Sequence, residues 1–333
     1  MSSFGDVAKG ASSTHRVAII AVCCIGVGFL VAAAKRLSRV PSIPSTADTT
    51  LQAASGALAR AVTHRSFLTG PLPRIALLGD SLTQQSFGNG GWGGRISDLY
   101  SRRADVVNRG FSGYNSRWFL LSLPSILDSL SGGPPPALYT VMLGGNDCAL
   151  PAVSNRQAVP LDDFKANIHS IVKQIQAWHQ QQRARHSGPG EACRIVLMAT
   201  PPVADSKWLA HEAGMKAKSK GPSDPSRLNT VTGLYAAAMI EVAVALGLPY
   251  VDNWNSLQQQ AKADGAGLDD ILSDGLHLAP AGQEMLYNAL LSTVKVSFPD
   301  LFVDPAMTKE KFGLKPLLPW HDAFSRDSPG DAL

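Results

Sequence analysis

The chain has 333 residues, of which 45% are hydrophobic and 17% are charged, as is typical of a globular protein with a sizeable core. Its formal net charge of +4 comes entirely from residues 1–40, which leaves 25 basic and 25 acidic residues in the rest of the chain. The body of the protein is therefore neutral, which excludes the basic face that nucleic-acid binding requires.

An uninterrupted apolar segment lies near the start of the chain. Residues 17–34 are all apolar or glycine and are flanked by basic residues, which meets the lower length limit for a membrane-spanning helix. We therefore expect a membrane-associated protein with a single N-terminal transmembrane segment. Two alternatives remain open, because residues 32–34 resemble the cleavage site of a secretory signal peptide and the acid-poor start also fits an organelle transit peptide.

Composition divides the chain into four parts. Residues 1–40 form the anchor or targeting segment, and residues 41–72, with scattered Pro, Ser, Thr and Ala, are typical of a linker. Residues 73–298 carry the patterns of a compact domain. Residues 299–333 form a C-terminal tail to which the sequence assigns no role.

Five strand patterns alternate with helical patterns along the domain. The helices are expected at about 95–103, at 116–130 with a bend at Pro124, from residue 164 onwards, in a broken region over 206–246, at 255–263 and at 281–296. The strands are expected at 74–78, 105–108, 137–143, 194–199 and 249–252. This alternation predicts a five-stranded parallel sheet between two helical layers, an α/β/α sandwich.

The order of the strands determines where a ligand would bind. In the common flavodoxin-like order 2-1-3-4-5, the topological switch lies between strands 1 and 3, and ligands of such sheets bind at the carboxyl ends of the strands beside that point. Ser81 follows strand 1 and Asn146 follows strand 3. We therefore expect both residues to border the same crevice.

A glycine-rich stretch matches a cofactor-binding pattern in residue types and spacing but not in its position relative to the strand. Gly88, Gly90 and Gly93 satisfy G-x-G-x-x-G, but the phosphate-binding mechanism requires these glycines in the turn directly after the strand. Here residues 79–87 intervene. A dinucleotide-dependent oxidoreductase is thus only a rival interpretation, and we expect no organic cofactor.

The cysteines indicate neither disulfides nor a metal site. Two of them lie in the N-terminal apolar segment and the other two are far apart, so no disulfide framework and no metal-ligand spacing is present. We read them as small buried hydrophobic residues, and we expect no bound metal. The four are Cys23, Cys24, Cys148 and Cys193.

Ser81 is either the cap of a helix or a nucleophile. A serine nucleophile needs a neighbouring base, and that base needs a partner that holds its tautomer. Asp274 and His277 are three residues apart in a loop that contains a glycine, so one turn brings both side chains to the same side. The pattern predicts that the carboxylate orients the imidazole towards Ser81.

Acyl transfer also needs hydrogen-bond donors for the oxyanion that develops on the substrate. Removing one such donor costs roughly 3–4 kcal/mol of transition-state stabilisation. Three donors are available, namely the backbone N–H groups of Ser81 and Gly113 and the side-chain amide of Asn146. A glycine at position 113 lets the main chain approach a ligand closely. Asn146 taken alone would be read as a turn residue.

Four sequence blocks together resemble the GDSL/SGNH hydrolases, and longer stretches look like the isoamyl-acetate-hydrolysing esterase branch of that family. The resemblance covers roughly residues 73–297. The blocks are Gly79-Asp80-Ser81-Leu82, Arg109-Gly110-Phe111-Ser112-Gly113, Gly144-Gly145-Asn146-Asp147 and Asp274-x-x-His277, and the longer stretches are residues 108–118, 159–162 and 273–277.

The resemblance implies a serine esterase without a cofactor. It implies Ser81 as nucleophile, His277 as base and Asp274 as its partner, with Ser81, Gly113 and Asn146 forming the oxyanion hole. The expected substrate is a small-molecule carboxylic ester, with a short acyl chain as the default and thioesters or lipid and carbohydrate acyl esters as alternatives. A membrane-tethered binding module without catalysis is a rival from another class. Three aromatic residues are candidates for the wall of the acyl pocket, although ordinary packing in the core explains each of them at least as well: Trp92, Phe111 and Trp208.

Overall fold

The computed structural model describes residues 72–306, except residue 89 and residues 187–191 and 216–224. Within these residues, five strands alternate with helices. The strands are β1 (Arg74–Gly79), β2 (Asp105–Gly110), β3 (Leu138–Met142), β4 (Ile195–Met198) and β5 (Tyr250–Val251). The α-helices are α1 (Ser81–Gln84), α2 (Trp92–Leu99), α3 (Ser116–Asp128), α4 (Pro151–Ser154), α5 (Leu161–His186), α6 (Asp205–Met215), α7 (Asn229–Ala245), α8 (Asn253–Ala263), α9 (Leu268–Ile271) and α10 (Pro280–Ser297).

The strands form one parallel sheet with the order β2-β1-β3-β4-β5. Every neighbouring pair is parallel, and Gly79 at the end of β1 pairs with Gly110 on one side and with Met142 on the other. The predicted α/β/α architecture and its flavodoxin-like sheet are confirmed. Because β1 and β3 lie between two neighbours and two helical layers, their residues read as apolar runs rather than as an alternating pattern.

Each face of the sheet has its own core. Ala76 and Leu78 of β1 pack with helices α3, α5 and α7, whereas Ile75 and Leu77 pack with α2, α8 and α10. Successive side chains of a strand point to opposite faces, so this one strand supplies both cores. The two layers hold the ends of the strands, and the loops that follow them, in fixed positions.

Helix α2 begins earlier than the sequence predicts. It starts at Trp92 rather than near Arg95, so it includes two glycines that disfavour a helix interior. Trp92 is completely buried, and its backbone N–H donates to the side-chain oxygen of Gln283 in α10. Tertiary contacts therefore outweigh local propensity at this end of the helix. The predicted broken region over 206–246 consists of the two separate helices α6 and α7.

Several predictions concern residues outside the described part of the chain. The apolar segment 17–34, all but the last residue of the linker, and the tail beyond residue 306 belong to this group. Among the helices that the structure does describe, none combines the length and the apolar character needed to span a bilayer.

Candidate active site

Ser81 lies directly after β1, where the chain turns into helix α1. Asp80 caps this helix, because its Oδ1 accepts a hydrogen bond of 3.0 Å from the backbone N–H of Leu82. Burial raises the pKa of Asp80 to about 7, although that hydrogen bond acts in the opposite direction. The carboxyl group thus belongs to the turn that positions Ser81, which is itself buried.

A tight loop between α9 and α10 carries Asp274 and His277. Oδ1 of Asp274 accepts the backbone N–H groups of Leu276 and His277, at 2.9 and 2.7 Å, and so closes the loop on itself. Gly275 adopts a φ of +96°, and a Cβ at this position would lie 2.4 Å from the backbone nitrogen of Trp208. Only glycine fits that combination of conformation and close approach.

The second oxygen of Asp274 contacts the imidazole of His277. The distance from Oδ2 to Nδ1 is 2.6 Å. Burial alone would raise the pKa of Asp274, but the hydrogen bonds from the ring and from the two backbone N–H groups outweigh it and hold this pKa below its ordinary value. An ionised carboxylate only accepts hydrogen bonds, so Nδ1 carries the proton and Nε2 has a free lone pair.

Nε2 of His277 lies 2.9 Å from Oγ of Ser81, although 196 residues separate them in sequence. With the proton held on Nδ1, Nε2 accepts the hydroxyl proton of Ser81. The arrangement Asp274–His277–Ser81 is therefore connected by hydrogen bonds from end to end. Such a chain can move a proton away from a hydroxyl as the oxygen attacks an electrophile.

Donors for a developing negative charge lie on both sides of Ser81. Gly113 follows β2 and Asn146 follows β3, the two strands that flank β1. The φ of +80° at Gly113 is the left-handed conformation that glycine adopts without strain. Within the described residues, the backbone N–H groups of Ser81 and Gly113 have no acceptor. Both groups are thus available to a bound oxyanion.

The side-chain amide of Asn146 has two N–H groups, of which one already donates a hydrogen bond and the other is available. Its Nδ2 donates to the backbone oxygen of Tyr114 at 2.9 Å, and its Oδ1 accepts two other hydrogen bonds. The side chain is buried. The turn interpretation of Asn146 from sequence does not account for this network of contacts.

The three predicted aromatic residues differ in position. Trp92 is completely buried in the core beneath α2 and donates its indole N–H to the backbone oxygen of Leu82, so it does not line a pocket and the prediction for it is wrong. Phe111 is partly buried and packs on Tyr114. Trp208 packs beside the loop of Asp274 and stacks on His211. For these two residues the pocket role stays a prediction.

Two residues that the sequence did not single out contact Asn146. Arg227, which is only 4% exposed, donates from Nη2 to Oδ1 of Asn146 at 2.9 Å, and Gln157 donates from Nε2 to the same oxygen at 3.0 Å. Arg227 precedes α7 and Gln157 follows α4, and neither belongs to a recognisable motif. No local signal identifies them, because their importance arises from contacts across 81 and 11 residues of chain.

The glycine-rich pattern does not form a phosphate cradle. Helix α1 intervenes between β1 and the glycines, and α2 begins within the pattern. Within the described ranges, no group of three or more His, Cys, Asp or Glu side chains is arranged to hold a metal ion. That the chain works without a cofactor or a metal stays a prediction.

Comparisons with known proteins identify the family to which the chain belongs. Residues 77–285 match the model of the GDSL-like Lipase/Acylhydrolase family. An isoamyl acetate-hydrolyzing esterase 1 homolog of Bos taurus is 37% identical over 220 residues, which are 66% of this chain and 80% of that protein. A GDSL esterase/lipase of Arabidopsis thaliana is 37% identical over 217 residues, 65% of this chain and 83% of that protein.

The fold also occurs in a solved structure. A catalytic mutant of an acetylxylan esterase from Geobacillus stearothermophilus aligns with a TM-score of 0.50 at 17% identity, over 68% of this chain and 95% of its own. At this identity the likeness concerns the fold alone. The predicted family and its isoamyl-acetate-hydrolysing branch are confirmed by the family model and the sequence relatives. The chain therefore belongs to the GDSL-like lipase/acylhydrolase family of carboxylic ester hydrolases.

Proposed function

We propose that this protein hydrolyses short-chain acyl esters through an acyl-enzyme intermediate on Ser81. The observation that carries the proposal is the continuous hydrogen-bonded chain from Asp274 to Ser81, with distances of 2.6 and 2.9 Å on the two sides of His277. This is the arrangement that nucleophilic catalysis by a serine requires.

The first half of the reaction transfers the acyl group to the enzyme. Oγ of Ser81 attacks the ester carbonyl carbon while Nε2 of His277 takes the hydroxyl proton. The tetrahedral intermediate collapses when its bond to the alcohol oxygen breaks, and the imidazolium of His277 gives its proton to the departing alkoxide. Asp274 stays ionised throughout, because hydrogen bonds hold its pKa below the ordinary value, and it stabilises the imidazolium.

The second half returns the enzyme to its starting state. A water molecule attacks the acyl-enzyme carbonyl, and His277 takes one of its protons. When the bond to Oγ breaks, the same proton returns to Ser81 and the carboxylic acid leaves. The backbone N–H groups of Ser81 and Gly113 and the Nδ2 of Asn146 would donate to the oxyanion in both tetrahedral intermediates.

The preference for short acyl chains is supported by the relatives. The mammalian proteins that are 35–37% identical to this chain are named as isoamyl acetate-hydrolyzing esterase homologs, and isoamyl acetate is a small ester with a two-carbon acyl group. Phe111 packs on Tyr114, and Trp208 packs beside the loop of Asp274, positions from which aromatic side chains would limit the space for an acyl chain.

Fluorophosphonate labelling and ester hydrolysis test the proposal together. We expect the wild type to be labelled and to cleave p-nitrophenyl esters from C2 to C16 with the highest kcat/KM at C2–C4. Ser81→Ala should lose labelling and nearly all hydrolysis, whereas Ser125→Ala, on the exposed face of α3, should behave like the wild type. Labelling or full activity in Ser81→Ala would contradict the assignment of the nucleophile, and a maximum at C12–C16 would instead favour a lipid ester.

A further inference from the structure

We propose that Arg227 is a positioning residue for the oxyanion hole, which fixes the orientation of the two amide side chains at its edge and places a positive charge behind Asn146. The proposal rests on the proposed function, because it assumes that the oxyanion forms between Gly113 and Asn146. Arg227 itself touches no reacting atom.

The guanidinium group of Arg227 contacts the hole at several points. Its Nε donates to the backbone oxygen of Gly145 at 2.6 Å, and its Nη2 donates to the side-chain oxygens of Asn146 and Gln157 at 2.9 and 3.0 Å. Its Nη1 donates to Oγ of Ser226 at 2.9 Å. These bonds hold the planar group rigidly in a buried position.

The chemistry of the guanidinium determines how Asn146 is oriented. A guanidinium group has no acceptor and keeps its charge at every relevant pH. Asn146 must therefore turn its oxygen to Arg227, which leaves its Nδ2 facing Tyr114 and the hole. In the flipped orientation, an amide N–H would face the guanidinium and the amide oxygen would face the backbone oxygen of Tyr114. Both contacts would be repulsive.

Through Gln157, Arg227 also determines a hydrogen bond to Gly113. Because Arg227 donates to Oε1 of Gln157, the Nε2 of Gln157 is free to donate to Oδ1 of Asn146 and to the backbone oxygen of Gly113, at 3.0 and 3.1 Å. A glutamine alone could flip its amide and reverse these contacts. One cation thus sets the orientation of the groups on both sides of the hole.

The charge of Arg227 has no ion-pair partner among the described residues. Its hydrogen-bond acceptors are all neutral, and the ring of Trp208 lies 5.2 Å from it. The nearby buried carboxyls, Asp80 and Asp147, have pKa values that burial raises to about 7 and about 6, and the charge of Arg227 acts against this rise at Asp80. A buried positive charge stabilises an oxyanion that develops on the other side of Asn146.

Two substitutions separate the charge of Arg227 from its fork, the planar set of N–H donors of the guanidinium group. Arg227→Met removes both, and we expect kcat for p-nitrophenyl acetate to fall about 100-fold with KM within about threefold of the wild type, because the lost interaction acts only in the transition state. Arg227→Lys keeps the charge but loses the fork, and we expect a fall of about tenfold. Arg185→Met, at the exposed end of α5, is the matched control and should leave kcat unchanged.

A double-mutant cycle distinguishes positioning from a general effect on the fold. The concentration of active sites in each variant is measured as the amount of protein that a fluorophosphonate labels. The rate is divided by this concentration, so a loss of folded protein does not lower the kcat that is compared. If Arg227 acts partly through Asn146, Arg227→Met should lower kcat by about tenfold in an Asn146→Ala background, the part due to its charge, rather than by about 100-fold. If the two losses multiply in full, the proposal is wrong.

The remaining outcomes are also decisive. A kcat per active site within threefold of the wild type in Arg227→Met would overturn the proposal. If this variant does not fold, Arg227→Lys carries the test, and an unchanged kcat in it would contradict the role of the fork. Labelling of Ser81→Ala, by contrast, would refute the proposed function itself, so the two failures can be told apart.

Discussion

The substitution Asp274→Asn tests the geometry of the site most directly, because it changes one proton and little else. The Oδ1 of an asparagine can still accept the backbone N–H groups of Leu276 and His277, so the loop keeps its shape. The new Nδ2 group, however, faces Nδ1 of His277 at the position where a carboxylate oxygen lies 2.6 Å away. Because an amide nitrogen donates, Nδ1 must become the acceptor.

The proton of the imidazole then moves to Nε2, the atom that lies 2.9 Å from Oγ of Ser81. An Nε2–H group cannot take the serine proton, and the negative charge that stabilised the imidazolium is lost as well. The same substitution in a Ser-His-Asp triad costs about 10⁴ in kcat, which corresponds to about 5.5 kcal/mol. We expect a loss of this size in kcat for p-nitrophenyl acetate, with a KM close to that of the wild type.

Stability should change much less than activity. Because the pKa of Asp274 is depressed in the folded protein, its ionised carboxylate stabilises the fold at pH values above the pKa of the unfolded carboxyl. This stabilisation is lost as the pH falls through the folded pKa. Asp274→Asn removes this contribution, so we expect a Tm lower by a few degrees near neutral pH. Asp269→Asn, at the exposed start of α9, is the control for both measurements. A folded Asp274→Asn variant with kcat within tenfold of the wild type would refute the reasoning.

Asn146→Ala should lower kcat about 100- to 1000-fold at unchanged KM, and a loss below tenfold would argue against an oxyanion role. A carboxyl with a raised pKa destabilises the fold as the pH rises. Between pH 5 and 8, the free energy of unfolding in urea of Asp80→Asn should therefore increase by about 2–3 kcal/mol relative to that of the wild type. The same pH dependence of stability in both proteins would contradict the raised pKa of Asp80. Trp92→Ala should lower the free energy of unfolding by about 3–5 kcal/mol without changing KM for p-nitrophenyl butyrate. A raised KM in a stable protein would instead show that Trp92 lines the acyl pocket. If residues 17–34 are an anchor, the full chain should remain with membranes in alkaline carbonate and a variant without them should not; a mature N-terminus beginning after Ala34 would indicate cleavage instead.

The sequence by itself determined the architecture, because the relevant signals are local. Apolar runs bounded by turn residues mark the strands, and their alternation with helical patterns allows few folds other than a covered parallel sheet. The chain order of the strands then places Ser81, Gly113 and Asn146 at one edge of the sheet. The spacing of Asp274 and His277 likewise follows from a single loop, whose aspartate binds the backbone of the next residues.

Only the tertiary structure decided which side chains meet across the chain. The sequence suggested that Trp92 lines a pocket, but the packing of α2 against the sheet buries it completely, and burial depends on neighbours that are distant in sequence. Arg227 has no motif, and its four hydrogen bonds reach groups between one and 82 residues away. Residue types and spacing therefore identify the reacting groups, whereas the long-range contacts that orient them arise only when the helices pack around the sheet.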